Sequence, residues 1–136
     1  MTTAYVDANV IVRLITGDPP EMAESAARLF RRTDEGRLQL VVDPLVAAEA
    51  VWVLSSFYGF SAAEIAPVMR SFLTGDGIIS EEKTELLRAL ALYEDKNIDF
   101  IDALLAVKMM KRGIFEVYSF DKHFDRLESI HRVGPG

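Results

Sequence analysis

The organisation of the chain is decided by one stretch, Ala4-Tyr5-Val6-Asp7-Ala8-Asn9-Val10-Ile11-Val12. Nearly every residue in it is apolar, which is typical of a buried strand, and we predict a first strand from Ala4 to Val12. Asp7 places a carboxylate in the middle, with Asn9 two residues later. A buried charge is costly unless it is paired or binds a metal. Asp7 could pair with Arg13 or with backbone amides, but we expect it to belong to a carboxylate cluster that holds a divalent ion.

The composition is that of an ordinary soluble protein, and 136 residues suit one domain spanning 1–136. The absence of cysteine excludes disulfides and thiolate chemistry and fits the cytoplasm. We recognise no signal peptide, and the longest uncharged run, Ala50 to Ala63, is too short to span a bilayer. The net charge of −6 counts weakly against a nucleic-acid partner, because bound metal ions would offset part of it.

Beyond the first strand, short apolar runs alternate with helical patterns. This alternation favours an α/β fold with a small parallel sheet surrounded by helices, in which ligands bind beyond the carboxyl ends of the strands. The later strands are predicted at 38–42, 78–79, 115–120 and 130–133. The helices are predicted to begin at Asp18, Asp43, Ser61, Ser80 and Asp99. A short helix or turn is predicted over 121–127.

Glu49 is the second acid of interest, because it is the only charged residue between Asp43 and Glu64. The predicted helix around it is apolar nearly all round, and no basic residue lies one turn away to pair with it. The sequence leaves two interpretations about equally open. Glu49 either faces solvent on a narrow polar stripe or joins Asp7 in a metal site.

Asp102 and Asp121 complete the set of candidate acids. Asp102 lies in the apolar run 100–107, and Asp99-x-x-Asp102 also resembles a capping box, in which Asp102 would only complement the helix dipole. Asp121 follows the predicted strand 115–120 and could be a plain cap of a short turn. Converging carboxylates repel one another, and Mg²⁺ or Mn²⁺ would relieve that repulsion. With no Cys and no HExxH motif, the sequence offers little for zinc.

Four short motifs, taken in order, resemble the acidic motifs of PIN-domain nucleases. They are Val6-Asp7-Ala8-Asn9, the lone Glu49, Asp99-Phe100-Ile101-Asp102-Ala103-Leu104-Leu105-Ala106 and Ser119-Phe120-Asp121-Lys122-His123-Phe124. The length resembles that of VapC-type toxins of toxin–antitoxin pairs. The family fold is a three-layer α/β/α arrangement, which agrees with the α/β class predicted above.

The resemblance implies a metal-dependent endoribonuclease. Asp7, Glu49, Asp102 and Asp121 would be its catalytic residues and would bind Mg²⁺ or Mn²⁺. Asn9 and Ser119 fall at supporting polar positions, and Asp99 is a possible further acid. In the family, metal-activated water leaves 5′-phosphate and 3′-hydroxyl ends. The resemblance further implies an RNA substrate, a homodimer and a cognate antitoxin.

Two alternative functions remain open at the level of the sequence. A haloacid-dehalogenase-like phosphatase also carries an Asp at the end of its first strand, but it needs a second Asp where this chain has Asn9. A non-catalytic PIN-fold binding module would be favoured by the loss of one acid, and all four are present.

The helical hairpin after Glu49 is rich in apolar residues over 57–73, and we consider it a candidate dimer face, although core packing would account for about half of those residues.

Overall fold

The structure of the protein is a computed structural model, and it describes all 136 residues. The chain divides into two compact units, Met1–Lys83 and Thr84–Gly136. The single domain expected from the length therefore stays a prediction.

The first unit is built on a three-stranded parallel sheet in the order β1-β2-β3, with Thr2 opposite Leu38 and Leu40 opposite Ile78. Its buried side chains come from both the strands and the helices, among them Ile11, Leu40 and Leu54. Its elements are β1 (Thr2–Tyr5), α1 (Ala8–Thr16), α2 (Pro20–Asp34), β2 (Leu38–Val41), α3 (Pro44–Ser56), α4 (Ala62–Leu73) and β3 (Ile78–Ile79).

The second unit pairs its two short strands in parallel, with Glu116 opposite His131. Phe100, the largest fully buried side chain, meets the ring of Tyr93 edge to face at a centroid distance of 6.0 Å. The elements are α5 (Lys83–Lys96, beginning at the last residue of the first unit), α6 (Phe100–Lys111), β4 (Glu116–Tyr118), a 3₁₀ helix (Lys122–Arg126) and β5 (His131–Val133).

The α/β class with parallel strands, predicted from the sequence, is confirmed. None of the helices combines the length and the apolar content that crossing a bilayer requires.

The predicted strand from Ala4 to Val12 is wrong beyond Tyr5. The chain leaves β1 at Tyr5, and α1 begins at Ala8 with Asp7 as its N-cap, where a carboxylate oxygen accepts the backbone N–H of Val10 at 3.2 Å. The helix ends at Gly17, whose φ of +70° suits glycine and whose N–H reaches a carbonyl one turn back. The cap and the terminating glycine therefore outweigh the strand propensity of the β-branched residues between them.

Several predicted helix starts also need correction. At α2 the N-cap is Pro19 rather than Asp18, and it makes no side-chain cap bond. The helix predicted from Ser80 begins at Lys83. Asp99 occupies the N-cap position of α6, but its side chain makes no cap bond. By contrast, the predicted caps at Asp43 and Ser61 are confirmed, and Ser61 forms a complete capping box with Glu64.

Candidate functional site

In the first unit, Asp7 and Glu49 line one cavity of about 330 Å³. Asp7 stands between the end of β1 and the start of α1, and Glu49 lies on α3. Asn9 lines the same cavity from the first turn of α1, and the other lining residues are apolar. This cavity thus holds two carboxylates and one amide but no basic side chain.

Asp7 is exposed rather than buried, which removes the burial penalty that the strand prediction had assigned to it. Asp7 does not pair with Arg13. Instead, Nη1 of Arg13 donates to the Tyr58 hydroxyl at 3.0 Å and to the Asp18 carbonyl at 3.1 Å. The alternative of a structural Asp7–Arg13 ion pair is therefore wrong.

Glu49 is also exposed, as the solvent-facing interpretation expected, and it still lines the cavity with Asp7. Its neighbours on the outer face of α3 are apolar. Leu45, four residues earlier, is 80% exposed, and Trp52, three residues later, is 58% exposed. Glu49 therefore stands between two exposed apolar side chains, at helical spacings that place all three on one face.

In the second unit, Asp102 and Asp121 form a hydrogen-bonded pair of carboxyl groups. Desolvation raises the pKa of Asp102 to about 6, and the hydrogen bond with Asp121 and the negative charges of Asp99 and Asp121 reinforce that rise. The pKa of Asp121 lies below its usual value, chiefly because the backbone N–H of His123 donates to it. Asp102 is consequently the member of the pair that holds a proton up to about pH 6, while Asp121 carries the negative charge.

The turn after β4 holds Asp121 in place. Its Oδ1 accepts the backbone N–H of His123 at 2.9 Å, and Oγ of Ser119 accepts the backbone N–H of Asp121 at 2.9 Å. The ring Nδ1 of His123 lies 3.3 Å from the same carboxylate oxygen. Asp121 is thus the predicted turn cap and also a member of an acidic cluster. Ser119 fixes the backbone of that cluster.

The structure therefore groups the predicted residues in two sets, one in each unit. The first contains Asp7, Asn9 and Glu49, and the second contains Asp99, Asp102, Ser119 and Asp121. Neither unit brings three or more acidic or histidine side chains together as ligands of one metal ion. The donors in both sets are mainly carboxylate oxygens, which suit Mg²⁺ or Mn²⁺ better than softer ions. Like charges also raise the pKa of Asp102, and a cation would relieve that repulsion.

Two features of these surroundings were not predicted from the sequence. His123 was named only as part of the motif around Asp121, although its position two residues after Asp121 at a turn places it near that carboxylate. The contact between Arg13 and Tyr58 joins residues 45 positions apart, and no local pattern signals it.

The family follows from comparison with known proteins. The model of the PIN domain matches residues 4–130. The chain belongs to the PIN domain family. This PIN domain is also similar to a protein named VapC ribonuclease from Aquifex aeolicus (strain VF5), with 29% identity over 122 residues that cover 90% of each chain. The resemblance to VapC-type PIN proteins, predicted from the acidic motifs, is thereby confirmed. The match also favours the PIN fold over the haloacid-dehalogenase alternative.

Proposed function

We propose that this PIN domain is a metal-dependent endoribonuclease and the toxin of a toxin–antitoxin pair. The observation that carries the proposal is the pairing of the acids: Asp7 with Glu49 around one cavity, and Asp102 with Asp121 through a hydrogen bond. The family match and the similarity to a VapC ribonuclease support the same activity.

The four acids would hold Mg²⁺ or Mn²⁺, with Asn9, Asp99 and Ser119 in supporting positions. A divalent ion bound there would activate water and neutralise the charge that develops on the phosphate. Water would attack phosphorus while the bond from phosphorus to the 3′-oxygen breaks. The products would be a 3′-hydroxyl and a 5′-phosphate.

The chain's own contribution is to orient its oxygens in advance. One oxygen of Asp7 is fixed by the N–H of Val10, so the carboxylate cannot rotate freely. Asp121 is fixed in the same way by the N–H of His123. At neutral pH Asp102 releases its proton readily, because its pKa of about 6 lies just below that range. Oxygens that are already oriented lose little further freedom when they act on substrate.

The test of the chemistry is cleavage of a single-stranded RNA by the purified protein with Mn²⁺ or Mg²⁺, with and without EDTA. Wild-type protein should cut, and EDTA, Asp7→Asn and Glu49→Gln should each abolish cutting. Asp34→Asn is the matched control, because it removes an exposed acid outside both sets. Fragments should carry 5′-phosphate ends. Equal cutting by wild type and Asp7→Asn would overturn the proposal. RNA that binds with metal but stays intact would favour the binding-module alternative.

The toxin role has its own test in growing cells. Induced expression of the wild type should slow growth, and Asp7→Asn should not. Co-expression of a small protein encoded beside this reading frame should restore growth by binding the toxin. If Asp7→Asn slowed growth equally, the slowing would not arise from RNA cleavage.

We also propose a homodimer, formed through the exposed apolar residues of the hairpin 57–73. Phe57, which follows α3, is 78% exposed, and Val68 on α4 is 40% exposed. Of the hairpin considered from the sequence, Ile65 and Met69 are instead buried within this chain and are unavailable to a partner. Sedimentation of the wild type should give a dimer, and Phe57→Glu should shift it towards the monomer. Wild-type protein that sediments as a monomer at high concentration would overturn this part.

A further inference from the structure

A second and larger cavity of about 570 Å³ lies between α1 and α2. It shares two lining residues, Asp7 and Asn9, with the cavity that contains Glu49. The two cavities are therefore neighbours around Asp7. If Asp7 acts on the scissile phosphate, a group in the larger cavity must belong to a nucleotide close to the cut bond.

The walls of this larger cavity suit a flat, mostly apolar group. Val10 lines it from α1, and Ala26 and Leu29 line it from α2. Its volume lies within the range of about 300–1,000 Å³ that is usual for small-ligand sites. Such walls would hold the faces of a nucleobase, whereas a phosphate would find little there to solvate it.

Besides Asp7 and Asn9, three polar residues line the cavity, and two of them carry opposite charges. Arg13 lines it as a donor, and Glu21 and Ser25 line it from α2. Nη1 of Arg13 is already engaged by Tyr58 and Asp18, and its Nε is buried away from solvent. Nη2 is therefore the donor of Arg13 that remains for a ligand in the cavity. The carboxylate of Glu21 would repel a phosphate but would accept N–H groups from a base.

We propose that the cavity between α1 and α2 binds one unpaired guanine of the RNA substrate, next to the cleaved bond. This inference rests on the proposed ribonuclease function. Guanine offers neighbouring acceptors, O6 and N7, to an arginine, and it offers neighbouring donors, N1–H and the N2 amino group, to a carboxylate. Arg13 and Glu21 supply those two kinds of partner. A base can enter only when it is unstacked and unpaired, so the site also selects single-stranded regions.

Tyr58 is the positioning residue for this site. Its hydroxyl accepts from Arg13 and donates to a carboxylate oxygen of Asp18 at 3.0 Å, which joins the end of α1 to the segment after α3. Its ring stacks on Phe60 at a centroid distance of 6.0 Å. The hydrogen bond from Tyr58 therefore fixes the guanidinium group of Arg13 on one side. The planar group keeps the orientation that recognition of a base requires.

The experiment is cleavage of a single-stranded RNA with a randomised segment, followed by sequencing of the fragment ends. Wild-type protein should prefer guanine at one position beside the cut by about tenfold or more, which is typical of a bidentate contact. Glu21→Gln should reduce that preference, measured among the fragments that are still cut as the ratio of guanine to the other bases at that position. Ser25→Phe, which fills the cavity from its exposed rim, should abolish the preference. Glu24→Gln is the matched control, since Glu24 lies outside the cavity and has only an exposed ion pair with Arg28.

The outcomes separate this inference from the proposed function. Cutting that depends on metal and on Asp7 but shows no guanine preference near the cut would overturn the inference and leave the ribonuclease intact. A preference that survives both Glu21→Gln and Ser25→Phe would also overturn it. If these variants cut with wild-type preference and only lose binding to the antitoxin, the cavity is a protein-binding site instead. Failure of any metal-dependent cutting would refute the proposed function itself.

Discussion

The carboxyl groups of Asp102 and Asp121 share one hydrogen bond, and of the two it is Asp102 whose pKa is raised, so that it holds a proton up to about pH 6. Burial and the neighbouring acids raise the pKa of Asp102 from its ordinary value of 3.8 to about 6. Between those two pH values the folded protein keeps a proton that the unfolded chain releases. The free energy of unfolding therefore falls as pH rises through this window.

Asp102→Asn should consequently stabilise the metal-free protein at neutral pH. Asparagine is neutral at every pH and can still donate to Asp121. In EDTA, its melting temperature should exceed that of the wild type at pH 7.5, and the difference should vanish near pH 4. Thermal melts from pH 4 to pH 8 measure this, with Asp34→Asn as control. A variant less stable than the wild type at pH 7.5 would contradict the assignment of the proton.

Divalent metal should stabilise the folded protein, and both acid pairs should contribute to the effect. A ligand at 100 times its dissociation constant adds about 2.7 kcal/mol to the free energy of unfolding. Titration of EDTA-treated protein with Mn²⁺ should raise the melting temperature of the wild type and of Asp34→Asn. Glu49→Gln and Asp102→Asn should each reduce the rise. Should only one of these two variants reduce it, the other acid pair takes no part in metal binding, and the prediction would be wrong.

Tyr58→Phe should destabilise the first unit by about 1–3 kcal/mol, because it removes a hydrogen bond from Arg13 and another to Asp18. Tyr118→Phe is a matched control, because Tyr118 is 72% exposed. Urea denaturation of both variants measures the difference. A double-mutant cycle of Tyr58→Phe with Arg13→Met should also give a coupling energy clearly different from zero. If the two losses simply add, Tyr58 does not position Arg13.

Glu85 should make the protein sensitive to acid. The residue is only 6% exposed, and its hydrogen bond with Nζ of Lys111 holds its pKa below the ordinary value of 4.5. Its stabilising contribution is present above pH 4.5 and is lost as pH falls through the lower folded-state pKa. Glu85→Gln should therefore be less stable than the wild type at pH 7, and the gap should close as pH falls through the lowered pKa of Glu85. Melts across that range test this, and a gap that is constant with pH would contradict it.

Gly77→Ala should destabilise the junction of α2, β2 and β3. A Cβ on Gly77 would lie 2.9 Å from the Leu38 carbonyl oxygen and 3.0 Å from Cβ of Thr33, and the φ of +75° is unfavourable for alanine. The left-handed conformation alone costs about 1–2 kcal/mol. Gly59→Ala separates the two causes, because its φ of +74° is similar but its surroundings are open. Gly77→Ala should therefore lose more stability than Gly59→Ala in the same denaturation experiment.

The features that were predicted correctly from the sequence are those that depend on residues within one helical turn of each other. Ser61 and Glu64 form the predicted capping box, and Asp43 caps α3, because each interaction spans only two or three residues. The parallel strands and the order of the acidic motifs were predictable for a similar reason. Strand-forming runs and short motifs are local patterns that need no knowledge of the rest of the fold.

The predictions fail where a contact between distant residues, or a competing local pattern, determines the structure. The β-branched run after Asp7 suggested a strand, yet Asp7 and Gly17 define a helix between them. The burial of Glu85 could not be predicted either, because its partner, Lys111, lies 26 residues later. Pairings over such separations depend on the packing of whole elements, and no spacing rule in the sequence encodes them.

Trp52 is the only tryptophan in the chain, and it is more than half exposed, one helical turn from Glu49. The protein therefore carries an intrinsic fluorophore beside its proposed catalytic carboxylate. Its emission reports on that face of α3 without any attached label. Quenching by acrylamide, followed while RNA, metal or a partner protein is added, would record when each of them covers this side of the molecule.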